Sequence, residues 1–270
     1  MKAVDLHHGV ATDVGLVRKV NEDAYLVSPP LFLVADGMGG HAGGAIASSI
    51  AVEEFRQLDV RGLDPRRGTE AVVAAMARCQ ARIREWGAAQ GAGTWHAGTT
   101  AAVALVVEDA EGFKWLLANL GDSRIYRVHE GELEQVSVDH SVVQELVDAG
   151  KITAEEANRH PERHVITRAL GSPEGVAPDF FLLPMGSVDR LLLCSDGVSG
   201  MVDDATIAEI LLETTDPRDA ADHLVGTALA AGGRDNATAV VVDVVGLMTD
   251  ETLASAHRRG GLETKLGALP

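Results

Sequence analysis

Cysteine is scarce in this 270-residue chain, which carries only Cys79 and Cys194. Two thiols far apart in apolar sequence, in a chain too large to need a staple, argue against a disulfide scaffold and for reduced, buried side chains. Basic residues are also in short supply: 23 Lys and Arg stand against 40 Asp and Glu, for a formal charge of −17. Such a balance repels nucleic-acid phosphates and anionic membrane surfaces, so neither is an expected partner. Long hydrophobic runs are missing too. The longest stretch without a formal charge, Trp86 to Val107, is broken by Gln, Thr, His and Gly and is not the run of ~20 mainly apolar residues that spans a bilayer. The start, Met1-Lys2-Ala3-Val4-Asp5, has no apolar run of the signal-peptide kind, and the expected location is cytoplasmic. No Pro- or Ser-rich linker divides the chain, and no period of roughly 20–50 residues recurs, which removes solenoids and propellers.

What is present is the 46% hydrophobic, 23% charged composition of a globular protein with a sizeable core. Short runs rich in Val, Leu, Ile and Thr predict strands at Leu31 to Ala35, Thr99 to Val107, Trp115 to Leu120, Arg124 to Val128, Arg190 to Cys194 and Ala237 to Val245. Ala-rich stretches predict helices over Gly44 to Gln57 and Gly68 to Ala89. Ser141 with Gln144 has capping-box spacing, and Asp216-Pro217 opens a further helix that Gly232-Gly233 ends. Strands joined by short turns such as Gly121-Asp122-Ser123, with long helices between groups of them, imply an α+β fold of mainly antiparallel sheets covered by helices. Residues 1–246 are expected to form one domain and residues 247–270 a polar tail.

Acidic residues next to glycine recur where predicted strands end: Asp36-Gly37, Gly121-Asp122, Asp196-Gly197 and, with no flanking Gly, Asp235-Asn236. One Asp-Gly is more often only a turn. Four carboxylates gathered in one pocket would repel strongly enough to require cations. Oxygen-only ligands select hard ions, Mg²⁺ or Mn²⁺ rather than Zn²⁺. Such ions would also supply the positive centre that an acidic protein needs in order to hold a phosphate.

The segments Thr12 to Asp23, Val34 to His41, Ala97 to Thr100, Asn119 to Arg124, Val138 to Ser141, Ile166 to Gly171, Cys194 to Gly197 and Arg234 to Asn236 together resemble the metal-dependent Ser/Thr protein phosphatases of the PP2C (PPM) type in their compact bacterial form. The resemblance covers about Val4 to Val245. It implies two packed antiparallel sheets flanked by helices on both outer faces. It also implies one-step hydrolysis of phosphoserine and phosphothreonine by a water bridging two divalent ions, with a possible weaker third. Under it, Asp36 bridges two metals, the Gly37 carbonyl serves the second ion, and Asp196 and Asp235 serve the first. Glu22 reaches the second ion through water, Asp122 holds the third, Arg18 grips the substrate phosphate, and Asp23 and Asn236 orient ligands from behind. The implied partners are phosphorylated proteins, with a Ser/Thr kinase as the opposing enzyme.

Met38 stands where eukaryotic members carry a His proposed as general acid, and a thioether donates no proton. His41 is the remaining side-chain candidate, with packing or helix capping as its competing role, and water held by the metals is the favoured donor. The stretch Asp139 to Arg163 corresponds to the family's flap beside the active site. His7, His8, His140, His160 and His164 fit no zinc spacing and read as surface residues. Two rival readings are a binding module that keeps the fold without catalysis, and another two-metal phosphoesterase such as a nuclease. The intact aspartate set weighs against the first and the negative charge against the second.

Overall fold

The computed structural model describes residues 3–39, 43–90, 97–157, 159–173 and 177–248. In chain order it opens with β1 (Ala3–Asp13), β2 (Ala24–Ser28), β3 (Leu31–Ala35) and β4 (Gly37–Met38), then α1 (Gly43–Arg56) and α2 (Pro65–Ala89). Next come β5 (Gly98–Thr99), β6 (Ala101–Asp109), β7 (Gly112–Leu120), β8 (Arg124–His129) and β9 (Glu132–Gln135). Two short helices, α3 (Val142–Asp148) and α4 (Ala154–Ala157), precede β10 (Asp179–Pro184) and β11 (Arg190–Cys194). The last elements are α5 (Asp196–Ser199), α6 (Asp204–Glu213), α7 (Pro217–Ala230) and β12 (Ala237–Met248). Most of the expected 247–270 tail, from residue 249 on, lies outside the described residues.

Two five-stranded antiparallel sheets, ordered β1-β12-β11-β8-β9 and β10-β7-β6-β3-β2, pack face to face. Strand alternation explains the resulting layers. On β3, Phe32 and Val34 enter the layer between the sheets, where Ala104, Trp115, Leu193 and Val240 meet them, while Leu31, Leu33 and Ala35 face α1 and α2. On β11, Leu191 and Leu193 point inward, and Leu192 and Cys194 pack under α6 and α7. Strands buried on both faces need apolar residues at every position, which is why these runs are continuous rather than alternating. The layer order is therefore helix, sheet, sheet, helix, as expected.

Local chemistry sets the helix starts. The Asp64 carboxylate accepts from Arg67 N–H ahead of Pro65, the Asp203 carboxylate from Thr206 N–H, and Ser141 Oγ from Gln144 N–H. Cys79 and Cys194 are both buried and unpaired, as their surroundings foretold. Gly121-Asp122-Ser123 is the expected short turn between strands, and it carries the chain from β7 in one sheet to β8 in the other. A tight Gly-Asp-Ser turn has the same composition within one sheet or between two, so its residues alone do not say which sheet the next strand joins.

Arg190 fastens the helical layer to its sheet. Its guanidinium holds Asp243 at 2.6 and 2.9 Å and donates to the carbonyls of Leu211, Thr214 and Thr215 where α6 ends. Arg190→Ala would leave these carbonyls and the partly buried Asp243 charge without a partner. The expected cost is about 3–5 kcal/mol of unfolding free energy, read as a lower urea midpoint with unchanged m-value.

Candidate active site

The ends of β3, β7 and β11 and the start of β12 lie at one end of the sandwich. The register shows this: Ala101 pairs with Leu120, Val34 with Ala102, Arg124 with Cys194, and Cys194 with Ala239. Asp36, Asp122 and Asp196 follow strand ends and Asp235 precedes a strand start. All four line one cleft of about 490 Å³, together with Arg18 and Gly37. Positions up to 199 residues apart (Asp36 to Asp235) thus converge because each ladder aligns the ends of its own strands and the two sheets stack face to face.

The backbone around Asp36 is clamped. Its N–H donates to Thr100 Oγ1 at 2.9 Å, and its carbonyl accepts from Thr100 N–H and Thr99 Oγ1, each at 2.9 Å. At Gly37 the chain passes so near α1 that a Cβ would lie 2.3 Å from the Gly44 carbonyl oxygen and 2.4 Å from that of Glu22. Only glycine fits this approach. The Glu22 carboxyl carbon lies in the same crevice, 2.9 Å from where a Gly44 Cβ would stand.

Arg18 sits at the cleft and donates to Asp235 at 2.6 Å, and Asp235 is the main reason its basicity rises. The loop carrying Arg18 is pinned by Asn236, a residue 5% exposed. Asn236 Oδ1 accepts from Glu22 N–H at 2.8 Å, and its Nδ2 donates to the carbonyls of Val14 and Val20 at 2.9 and 3.0 Å. Asp23 lies behind the cleft, where its Oδ2 accepts from Ser195 and Thr238 hydroxyls at 2.7 Å each. Burial pushes the Asp23 carboxyl up to about 7 against those two hydrogen bonds.

Burial is the first cause that raises Asp36 well above the ordinary carboxylate range, followed by the charges of Asp23, Asp196, Asp122 and Asp235. Burial, then Asp196 and Asp139, do the same to Asp122, whose Oδ1 is shielded from solvent without a hydrogen-bond partner. Among the described residues no three such side chains are already drawn into a ligand set. Asp235 holds Arg18 at 2.6 Å, and Asp196 Oδ2 lies 3.8 Å from His164 Nδ1. An oxygen-only donor set, an orphaned buried carboxylate oxygen and carboxyls short of counter-charge fit a hard divalent cation.

Sequence reasoning missed part of this lining. Arg163, His164, Ile166, Met201 and Arg234 also border the cleft. His164 is 62% exposed in its side chain, so it is a surface residue and a cleft residue at once. Ile166 and Arg234 fall inside the resembling segments and Arg163 ends the flap stretch, though none was named as a site residue, whereas His164 was read only as a surface residue. His140 is no surface residue: it is 5% exposed. His41, the candidate proton donor, lies outside the described residues. Met38 lines the cleft.

Comparison with known proteins decides the lineage. The profile of the family described as Protein phosphatase 2C matches residues 18–231. The chain belongs to that family. The serine/threonine protein phosphatase PstP of Mycobacterium tuberculosis is similar, 39% identical over 246 residues, which cover 89% of this chain and 45% of the relative. The chain thus spans less than half the length of that curated relative. The serine/threonine phosphatase stp of Listeria innocua is 35% identical over 88% of this chain and 96% of its own length. Among solved structures, the PstP catalytic domain in complex with two manganese ions superposes with a TM-score of 0.75 at 36% identity, covering 89% of this chain and 99% of that one. Stp1 from Staphylococcus aureus gives a TM-score of 0.80 at 32% identity, covering 90% and 96%. The protein phosphatase 2C fold is therefore shared across the whole described sandwich.

In this family member the Asn236 side chain alone ties three backbone groups of the Arg18 loop. Asn236→Ala should strip that loop of its anchor, with about 1–3 kcal/mol lost for each buried group left unpaired. Hydrogen exchange checks it: the Glu22 amide should lose protection in the variant while amides of β11 keep theirs.

Proposed function

We propose that this chain is a protein-serine/threonine phosphatase that removes phosphate from phosphoserine and phosphothreonine using Mg²⁺ or Mn²⁺. The observation that carries this reading is the convergence of Asp36, Asp122, Asp196 and Asp235 on one cleft beside Arg18. Asp36, Asp196 and Asp235, with the Gly37 carbonyl and with Glu22 acting through water, would hold two cations, and Asp122 a weaker third. Bound there, the cations supply Lewis acidity that offsets phosphoryl charge and acidifies water. The manganese bound by the related PstP catalytic domain supports the choice of metal.

The chain's own residues supply the rest. Arg18, at the mouth, has the forked guanidinium that matches a phosphate's oxygens, and moving from Asp235 to the phosphate exchanges one anionic partner for another. Neither buried thiol is a nucleophile, since burial pushes both Cys79 and Cys194 up to about 12. Direct attack by water is the route left to these residues. Met38 lends no proton, so protonation of the leaving oxygen falls to water or to His41. Phosphorylated proteins are the proposed substrates and a Ser/Thr kinase the opposing enzyme. A cytoplasmic setting accords with the free thiols and with the finding that no helix among the described residues is long and apolar enough to cross a membrane.

The deciding experiment measures hydrolysis of a phosphothreonine peptide by the purified chain with Mn²⁺, with Mg²⁺ and with chelator. Turnover should require metal, and Asp36→Asn should remove nearly all of it while the fold persists. Metal-independent turnover, or full activity in Asp36→Asn, would refute the assignment. Arg18→Ala should raise KM more than it lowers kcat, because the lost interaction belongs to substrate binding; steady-state kinetics on the same peptide give the split.

A further inference from the structure

His140 is buried, lies outside the proposed metal ligands, and makes more contacts to the cleft's frame than the proposed reaction uses. Its Nδ1 accepts from Gly121 N–H at 3.1 Å, and its own N–H donates to the Gly121 carbonyl at 2.9 Å. One residue thus engages both polar backbone groups of the glycine that precedes Asp122. Because Nδ1 is the acceptor, the ring proton sits on Nε2, which faces Asp179 Oδ2 at 3.1 Å. Arg168 Nη1 lies 3.3 Å from the other Asp179 oxygen and 3.2 Å from Nε2. With both nitrogens carrying protons, the carboxylate is their shared acceptor.

The turn is held from its other side as well. Gly121 adopts φ +109°, and a Cβ there would stand 2.5 Å from Thr100 Cγ2, while Thr100 Oγ1 meets Ser123 Oγ at 2.7 Å. Asp122 itself is 8% exposed and its Oδ1 has no hydrogen-bond partner. The aim of that carboxylate is therefore inherited from the backbone turn. The His140 carbonyl also accepts from Thr167 N–H at 2.8 Å, and Val142 N–H donates to the Val165 carbonyl at 2.9 Å. These bonds tie the turn to the segment from which Arg163, His164 and Ile166 border the cleft.

We propose that His140, oriented by Asp179, is a positioning residue: it fixes the Gly121–Asp122 turn so that the Asp122 carboxylate points into the cleft in register with residues 163–166. The proposal rests on the phosphatase reading for its catalytic consequence and on geometry for the rest. A histidine suits the task because its rigid ring presents an acceptor toward Gly121 and a donor toward Asp179. Asparagine reproduces the near acceptor, and glutamine reproduces only the far donor.

The test uses the full chain and the variants His140→Asn, His140→Gln and His140→Ala. In metal-free protein, ¹⁵N spectra of the His140 ring should show the Nε2–H tautomer, and the Gly121 amide should be protected from exchange. His140→Ala should lose that protection and raise the Mn²⁺ concentration for half-maximal phosphopeptide hydrolysis about 10- to 100-fold, as loss of a group orienting a metal ligand does. His140→Asn should restore the Gly121 protection and most of the Mn²⁺ response, and His140→Gln should restore neither. If His140→Ala does not fold, the contrast between Asn and Gln decides. An Nδ1–H tautomer, a protected Gly121 amide in folded His140→Ala, or rescue by Gln rather than Asn would overturn the proposal. Absence of phosphopeptide hydrolysis by the wild-type chain under any metal would instead sink the phosphatase reading, and the exchange contrast alone would then judge the positioning role.

Discussion

The burial of Asp36 and Asp122 beside further carboxylates is the constraint around which this molecule is organised. Asp36 and Asp122 are pushed well above the usual carboxylate range by burial and by their neighbours' charges. A fold that gathers such groups at one end must be held together elsewhere, since the cluster by itself opposes compaction. The sandwich meets that demand with three apolar layers, one between the sheets and one under each helical face. The repulsion also gives the site its selectivity, because the ligand that relieves it is a compact hard cation.

Backbone clamps, more than side-chain contacts, keep the carboxylates in place. Asp36 is held through both its peptide groups by Thr99 and Thr100. Asn236 pins the Arg18 loop to the start of β12, and His140 grips the turn before Asp122. In each case a polar side chain fixes main chain next to an acidic residue of the cleft.

Much of this was legible in the sequence. Strands buried on both faces announce themselves as unbroken apolar runs, so β3 and β11 were read to the residue. The edge strands were not. β1 carries Asp5, His7, His8 and Thr12 in a half-buried pattern, and β10 ends in Pro184, a residue tolerated only where a ladder partner is missing. The aspartates were legible because glycine or a strand boundary accompanies each one. The role of the Gly121 turn as a bridge between sheets, and the burial of His140, were not, since both are set by tertiary packing that no local spacing encodes. The place of His164 on the cleft escaped for the same reason.

The most direct measurement is anomalous diffraction from crystals soaked in Mn²⁺. This account predicts two strong manganese peaks bounded by Asp36, Asp196 and Asp235, and a weaker one beside Asp122 at higher concentration. Strong peaks at other carboxylates, with none at Asp36, would contradict it.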